Sequence, residues 1–274
     1  MSEHYASRFS GIKRLYGSKA LTIFKNSHFC IIGIGGVGSW VAEALARSGI
    51  GKITLIDMDD LCVTNINRQV HALTCHIGQQ KIKVMAERCK QINPDIEIAC
   101  IDDFIDKQNC FEYLTNDMDY VFDCIDSIHA KVAVIAHCKR NKYPLLTCGG
   151  AGGQMDPTKI QVIDLAHTTQ DPLAARVRSE LRSNFNFTSN TKRKFNVDCV
   201  FSTEQLSYPD SRGEVCKTKT SFNANTKMDC ESGFGASTMV TASFAFIVVS
   251  FMLKKMLKKN ENSSEATPID FTIL

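Results

Sequence analysis

The residues with the most chemistry in this chain fall into three groups. Four glycines, Gly33, Gly35, Gly36 and Gly38, crowd one short turn. Asp57 lies 19 residues after Gly38, Asp59, Asn65, Asn67 and Arg68 follow it, and Lys81 comes 13 residues beyond Arg68. Further on, Asp123 and Asp126 bracket a short apolar pair. Glycines without side chains let backbone N–H groups approach a phosphate, and a carboxylate at the Asp57 spacing can hold a ribose hydroxyl. That much fits NAD and ATP equally. Arg68 and Lys81 separate the two. Hydride transfer develops little charge on phosphate, whereas attack on the α-phosphate of a triphosphate calls for full positive charges and Mg²⁺. A helix N-terminus alone supplies only about 0.3–1 kcal/mol at an exposed site.

Stepping outward, the pattern around these residues predicts the elements that must carry them. Apolar runs at 29–32 and 53–56 read as buried strands, and 39–47, with Trp40, Val41, Ala44 and Leu45 at helical spacing, reads as the helix between them. Together they make a βαβ unit whose glycine turn opens the helix. Lys81 falls in the first turn of an amphipathic helix over 79–93, stopped by Pro94. An ordinary helix prefers acids at that end, so a lysine there points to an anion nearby. Strands are expected at 96–101, 119–125, 145–148 and 159–165, and helices at 109–114, 128–141 and 172–181. The fold class is therefore α/β, a Rossmann-like doubly wound and mostly parallel sheet with an irregular C-terminal extension. Asp126 then falls at the C-terminal end of a parallel strand, facing the ligand crevice, or alternatively N-caps the next helix.

The joint motif GxGGxGS, then DxDxxxxxNxNRQ, then a lysine resembles the ubiquitin-activating type of adenylating enzyme, over roughly residues 8–150. The second half resembles one branch, the tRNA threonylcarbamoyladenosine dehydratases. Cys148 to Gln154 with Asp156 and Pro157, Gln170 to Ala174, Val197 to Ser202, and Met228 to Cys230 with Gly233 to Gly235 carry that resemblance. It implies ATP-dependent dehydration of threonylcarbamoyladenosine next to the anticodon, through an adenylated carboxylate. It also implies that Asp57 holds the ribose, that Asn67, Arg68 and Lys81 neutralise the triphosphate, and that Asp126 holds Mg²⁺. An arginine of an N-terminal R-x-L-Y-like segment, Arg14 with Arg8 as runner-up, reaches across a homodimer in such enzymes. A monovalent cation, and a cysteine desulfurase with its sulfur-acceptor protein, are further associations of the family.

Composition bounds the rest. The chain is 44% hydrophobic with a formal net charge of +3, which fits a cored enzyme and excludes a wholly basic nucleic-acid coat. Residues 1–18 carry no signal-like pattern, so a cytoplasmic protein is expected. None of the twelve cysteines forms a CxxC pair, which argues for reduced thiols and against a structural zinc. His71, Cys75 and His76 lack known ligand spacing. Cys199, Cys216 and Cys230 are candidates for a thioester nucleophile, but acids adjoin two of them and an acid raises a thiol pKa. Between 176 and 194 six basic residues, Arg176, Arg178, Arg182, Lys192, Arg193 and Lys194, face one acid and interleave with Phe185 and Phe187, Phe195 following. That reads as a tRNA-contacting surface or as a solvated helix face. Residues 236–253 are 18 without charge, read as a helix buried in the fold or a dimer interface rather than a span. The expected division is a helical arm at 1–27, one adenylating domain at 28–258, split near 150 into nucleotide and substrate halves, and a frayed tail at 259–274. A sulfur-carrier activator, an NAD dehydrogenase and a non-catalytic sulfur relay remain as alternatives.

Overall fold

The computed structural model describes residues 3–210, 212–217 and 234–265. Three short helices, α1 (Glu3–Arg8), α2 (Ser10–Tyr16) and α3 (Ser18–Asn26), precede β1 (His28–Ile32). Gly17, at φ 91°, breaks the run between α2 and α3. Then come α4 (Gly38–Arg47), β2 (Lys52–Ile56), α5 (Lys81–Ile92), β3 (Glu97–Ile101), α6 (Cys110–Tyr113), β4 (Tyr120–Asp123), α7 (Ile128–Asn141) and β5 (Leu145–Cys148). The second half adds β6 (Ile160–Asp164), α8 (Pro172–Asn184), β7 (Asp198–Ser202), the two-residue strands β8 (Tyr208–Pro209) and β9 (Val215–Cys216), and α9 (Thr238–Glu265).

Seven strands form one sheet in the order β3-β2-β1-β4-β5-β7-β6. All pairs are parallel except β6 with β7. The central strands are buried on both faces, so they read as continuous apolar runs rather than alternating ones. Alternation survives in which face each residue supplies. Phe29 and Ile31 join a core with α3, α4, α5 and α9, while Cys30 and Ile32 join one with α6, α7 and α8. Strand order reverses between β1 and β4, which opens the crevice of a doubly wound sheet at their C-terminal ends.

Three local expectations shift. β7, unforeseen, inserts between β5 and β6 and is buried along nearly its whole length. β4 ends at Asp123, two residues early, because the Asp123 carboxylate accepts the Ile125 N–H and turns the chain out of the ladder. α9 continues to Glu265, past the uncharged stretch 236–253 and into the segment 259–274 that was expected to fray. Half of its apolar window is buried, by length and composition alone it could cross a membrane, and it packs lengthwise on α4.

Candidate functional site

The glycine turn joins β1 to α4 at the strand-order reversal. Gly33 takes φ 84°, and its N–H bonds the Ile56 carbonyl at 2.9 Å, tying the turn to β2. A Cβ on Gly38 would lie 1.8 Å from the Gly33 oxygen, so only glycine permits the turn to close there. A Cβ on Gly36 would meet Arg68 Cδ at 3.4 Å and Thr241 Cγ2 at 3.2 Å, which places Arg68 and the start of α9 against the turn.

Asp57 leaves the end of β2 half-buried, with its side chain only 9% exposed. Its carboxylate accepts the Ile34 N–H at 2.6 Å and the Asp59 N–H at 2.9 Å, so it braces the glycine turn from the neighbouring strand. Each oxygen keeps a second lone pair for a ligand hydroxyl. Burial pushes this carboxyl up from its ordinary value, against the pull of Lys81 and the two N–H groups. Lys81, in the first turn of α5 and only 7% exposed, puts its Nζ 2.6 Å from Asp59 Oδ2 and 4.0 Å from Asp57 Oδ1.

Arg68 is 8% exposed. Its Nη1 donates to the Thr64 carbonyl at 2.8 Å and to Asn67 Oδ1 at 3.0 Å. Asn67 Nδ2 donates to the Ala236 carbonyl at 2.7 Å, and Thr238 Oγ1 donates to the Asn67 carbonyl at 2.7 Å. Trp40, one of the helically spaced apolar residues of α4, is half-buried and donates its indole N–H to the Arg68 carbonyl at 3.0 Å. Asn65 accepts the Cys62 N–H at 3.0 Å and shapes the loop from within. The structure therefore gathers Gly33, Gly35, Gly36, Gly38, Asp57, Asp59, Asn65, Asn67, Arg68 and Lys81 around one turn. The clasp from Trp40, Ala236 and Thr238 escapes sequence reasoning, because it is made by backbone carbonyls and a helix 170 or so residues away.

Asp126 lies across the crevice on the loop from β4 to α7. It does not N-cap α7: Ser127 holds that position, and without a side-chain cap bond. The Asp126 carboxylate is exposed and has no hydrogen bond or ion pair among the described residues. An exposed carboxylate with no partner among the described residues, on the crevice side of the sheet, is the kind of donor Mg²⁺ uses, since that ion takes one or two carboxylates and fills the rest with phosphate and water. Arg14 is not in this chain's own site. It is exposed on α2, in an arm docked at the opposite, N-terminal edge of the sheet by the Tyr5 hydroxyl on the Gly49 carbonyl and by Arg8 on that of Ile92.

Beneath Asp126 lies a buried ion pair that no motif in the sequence announces. Lys131, 2% exposed, meets Asp123, fully buried, at 2.8 Å. One signal was available: Lys131 is the single charged residue in the apolar run 130–136. Cys199 is fully buried in β7, and burial with the nearby Asp171 holds its thiol well above the ordinary value, so it is no nucleophile. Cys216 is half-buried, and Cys230 lies outside the described residues. Gly150 is fixed by Asp171, which accepts its N–H at 2.9 Å while N-capping α8 through the Ala174 N–H, and the Gly149 N–H bonds the Val200 carbonyl at 2.8 Å.

The basic segment divides. Arg182 stacks over Phe195, with its guanidinium 5.2 Å from the ring centre, and Arg178 bonds the Thr168 hydroxyl. Phe195 is buried and Phe185 and Phe187 pack against the same core, so these aromatics are not free to stack on bases. Arg176, Lys192, Arg193 and Lys194 remain exposed.

Residues 9–274 match the model of the ThiF family. The sequence is 58% identical to the tRNA threonylcarbamoyladenosine dehydratase of Escherichia coli K12 over 94% of this chain and 97% of that one. Crystal structures of the E. coli tRNA N6-threonylcarbamoyladenosine dehydratase in complex with ATP and with AMP each superpose with a TM-score of 0.85, covering 95% of this chain and 98% of theirs, at 53% and 54% identity.

Proposed function

The chain belongs to the ThiF family, and from that premise we propose that it is an ATP-dependent dehydratase of threonylcarbamoyladenosine in tRNA. The substrate's free carboxylate attacks the α-phosphorus of ATP and pyrophosphate leaves. A group of the substrate's own carbamoyl arm then attacks the acyl carbon, closes a ring and expels AMP. The nucleophile is already attached to the acyl group, so the second step gains its rate from proximity and needs no enzyme thiol. That agrees with Cys199 being buried and protonated.

One observation carries the nucleotide half: Arg68 stands against a glycine turn that is braced by the ribose-type acid Asp57, and the Lys81 ammonium lies 4.0 Å from that acid. In this reading the turn takes the phosphates, Asp57 the ribose, and Asn67, Arg68 and Lys81 offset charge as pyrophosphate departs. Asp126 would hold Mg²⁺, which when bound would supply Lewis-acid stabilisation of charge on the phosphates. The protein works as a homodimer in the cytoplasm, with Arg14 completing the partner's site, and Arg176, Lys192, Arg193 and Lys194 meet tRNA phosphates.

The test is AMP release from ATP by the purified protein, with and without tRNA bearing the threonylcarbamoyl group, followed by the mass of the nucleoside. AMP formed only with that tRNA, and a nucleoside lighter by one water, is the expected result. Turnover with a small carrier protein instead of tRNA would move the activity to sulfur-carrier activation.

A further inference from the structure

Among the described residues no exposed side chain bonds the loop that presents Asp126, whose Cys124 N–H is paired with the Ile32 carbonyl at 2.9 Å. The loop is held from below, by groups with no access to solvent. Lys131 Nζ reaches Asp123 Oδ2 at 2.8 Å, Thr147 Oγ1 at 3.1 Å and the Asp123 carbonyl at 3.4 Å. Thr147 Oγ1 donates to Asp123 Oδ2 at 2.6 Å. The other carboxylate oxygen accepts the Ile125 N–H at 3.2 Å. Asp123, Thr147 and Lys131 are each at most 2% exposed. The three come from the ends of β4 and β5 and from the first turns of α7, so they fasten both strand ends to the helix that follows the loop.

The same loop touches the nucleotide turn. A Cβ on Gly33 would stand 3.1 Å from the Cys124 carbonyl oxygen, and one on Gly38 would stand 3.4 Å from Cys124 Cβ. Any slack in residues 123–126 therefore moves Asp126 relative to the glycine turn. A buried charge pair adds little to stability over an apolar substitute of the same shape. Its use here is geometric: the carboxylate aims one oxygen at the loop backbone and the other at two donors, which an apolar pair cannot do.

We propose that the buried Asp123–Lys131–Thr147 network is the positioning device for Asp126, setting its distance from the glycine turn and hence the metal affinity of the enzyme–ATP complex. This rests on Asp126 being the Mg²⁺ carboxylate. All three residues are buried, so they act through the loop.

The test is titration of Mn²⁺ into the protein–ATP complex, followed by electron paramagnetic resonance of free Mn²⁺, for Thr147→Val, Lys131→Met and Asp126→Asn. Thr147→Val removes one hydroxyl at constant volume and keeps the ion pair, so it is the variant expected to fold normally. Metal affinity is expected to drop about tenfold in Thr147→Val and more in Lys131→Met, the range seen when partners of metal ligands are removed. Metal-free ATP binding by calorimetry should stay unchanged. Thr147→Val with a lowered melting temperature but unaltered Mn²⁺ affinity would overturn the proposal and leave the network purely structural. Unaltered Mn²⁺ affinity in Asp126→Asn would instead overturn the reading of Asp126, and the network's role with it.

Discussion

Lys81 Nζ rests 2.6 Å from the Asp59 carboxylate, closer than to Asp57 at 4.0 Å. The lysine assigned to phosphate is thus already neutralised by a mostly exposed acid and stands beside a half-buried one whose pKa burial has raised. A triphosphate entering the turn competes with Asp59 for the same ammonium. Lys81→Ala is expected to lower kcat/KM for ATP by about 10²–10³-fold, the scale for removing one preorganised charge from a developing oxyanion. Lys81→Arg should recover part of that loss. AMP release at varied ATP measures both, and near-normal turnover in the alanine variant would remove Lys81 from the chemistry.

Arg14 and Arg68 are expected to serve one active centre from two chains. Arg14 stands on the arm at the sheet's N-terminal edge, while Arg68 lies at the C-terminal edge against Gly36. Each single alanine variant should be inactive. Mixed and allowed to exchange subunits, they should regain about a quarter of wild-type activity, since half the dimers are mixed and each mixed dimer has one intact site of two. Steady-state AMP release of the mixture checks this. No recovery after verified exchange means Arg14 does not act in trans.

Much of this was open to sequence reasoning where the controlling interactions are local. The glycine turn, the acid ending β2 and the helix carrying Lys81 follow from spacing and periodicity within one βαβ unit. β7 was hidden because its reason for being a strand is nonlocal: it fills the place between β5 and β6, and its short run Asp198–Ser202 has no turn signal to announce it. The aromatics of the basic segment misled for the same reason. Phe187 and Phe195 sit edge to face, with ring centres 5.0 Å apart, in a core made with α7 and α8, and no local pattern separates such a pair from a base-stacking platform. Asp123 and Lys131 are eight residues apart in sequence, and only the turn between β4 and α7 makes them partners.

Lys192, Arg193 and Lys194 are the exposed part of the basic run that follows α8, Arg176 being the exposed member within that helix. Neutralising all three to alanine should raise KM for tRNA and leave KM for ATP unchanged. If each meets a phosphate, the slope of log affinity against log salt should fall by about 2 to 3, at roughly 0.7–0.9 per contact. Filter binding of substrate tRNA across a salt series reads this directly. An unchanged slope would make the segment a solvated surface.

His71 links the site's loop to acid stability. It is fully buried, and neither ring nitrogen has a hydrogen-bond partner among the described residues. Burial, with Lys81, His76 and Arg88 adding like charge, lowers its pKa to about 3. The unfolded chain takes up the proton near the ordinary histidine value of about 6.5, so below that pH the unfolded state binds one proton more than the folded state. The stabilisation is therefore full above about pH 6.5 and is lost as pH falls toward 3, at about 1.4 kcal/mol per pH unit. Between pH 7 and pH 5 that integrates to about 2 kcal/mol. His71→Leu, which cannot titrate and is close in volume, should lose about 2 kcal/mol less than wild type over that interval, whatever its stability at pH 7. Urea unfolding at the two pH values gives the comparison. Equal losses in both proteins would mean that His71 takes up its proton in the folded state, which would put a further cation beside Lys81 in the nucleotide loop.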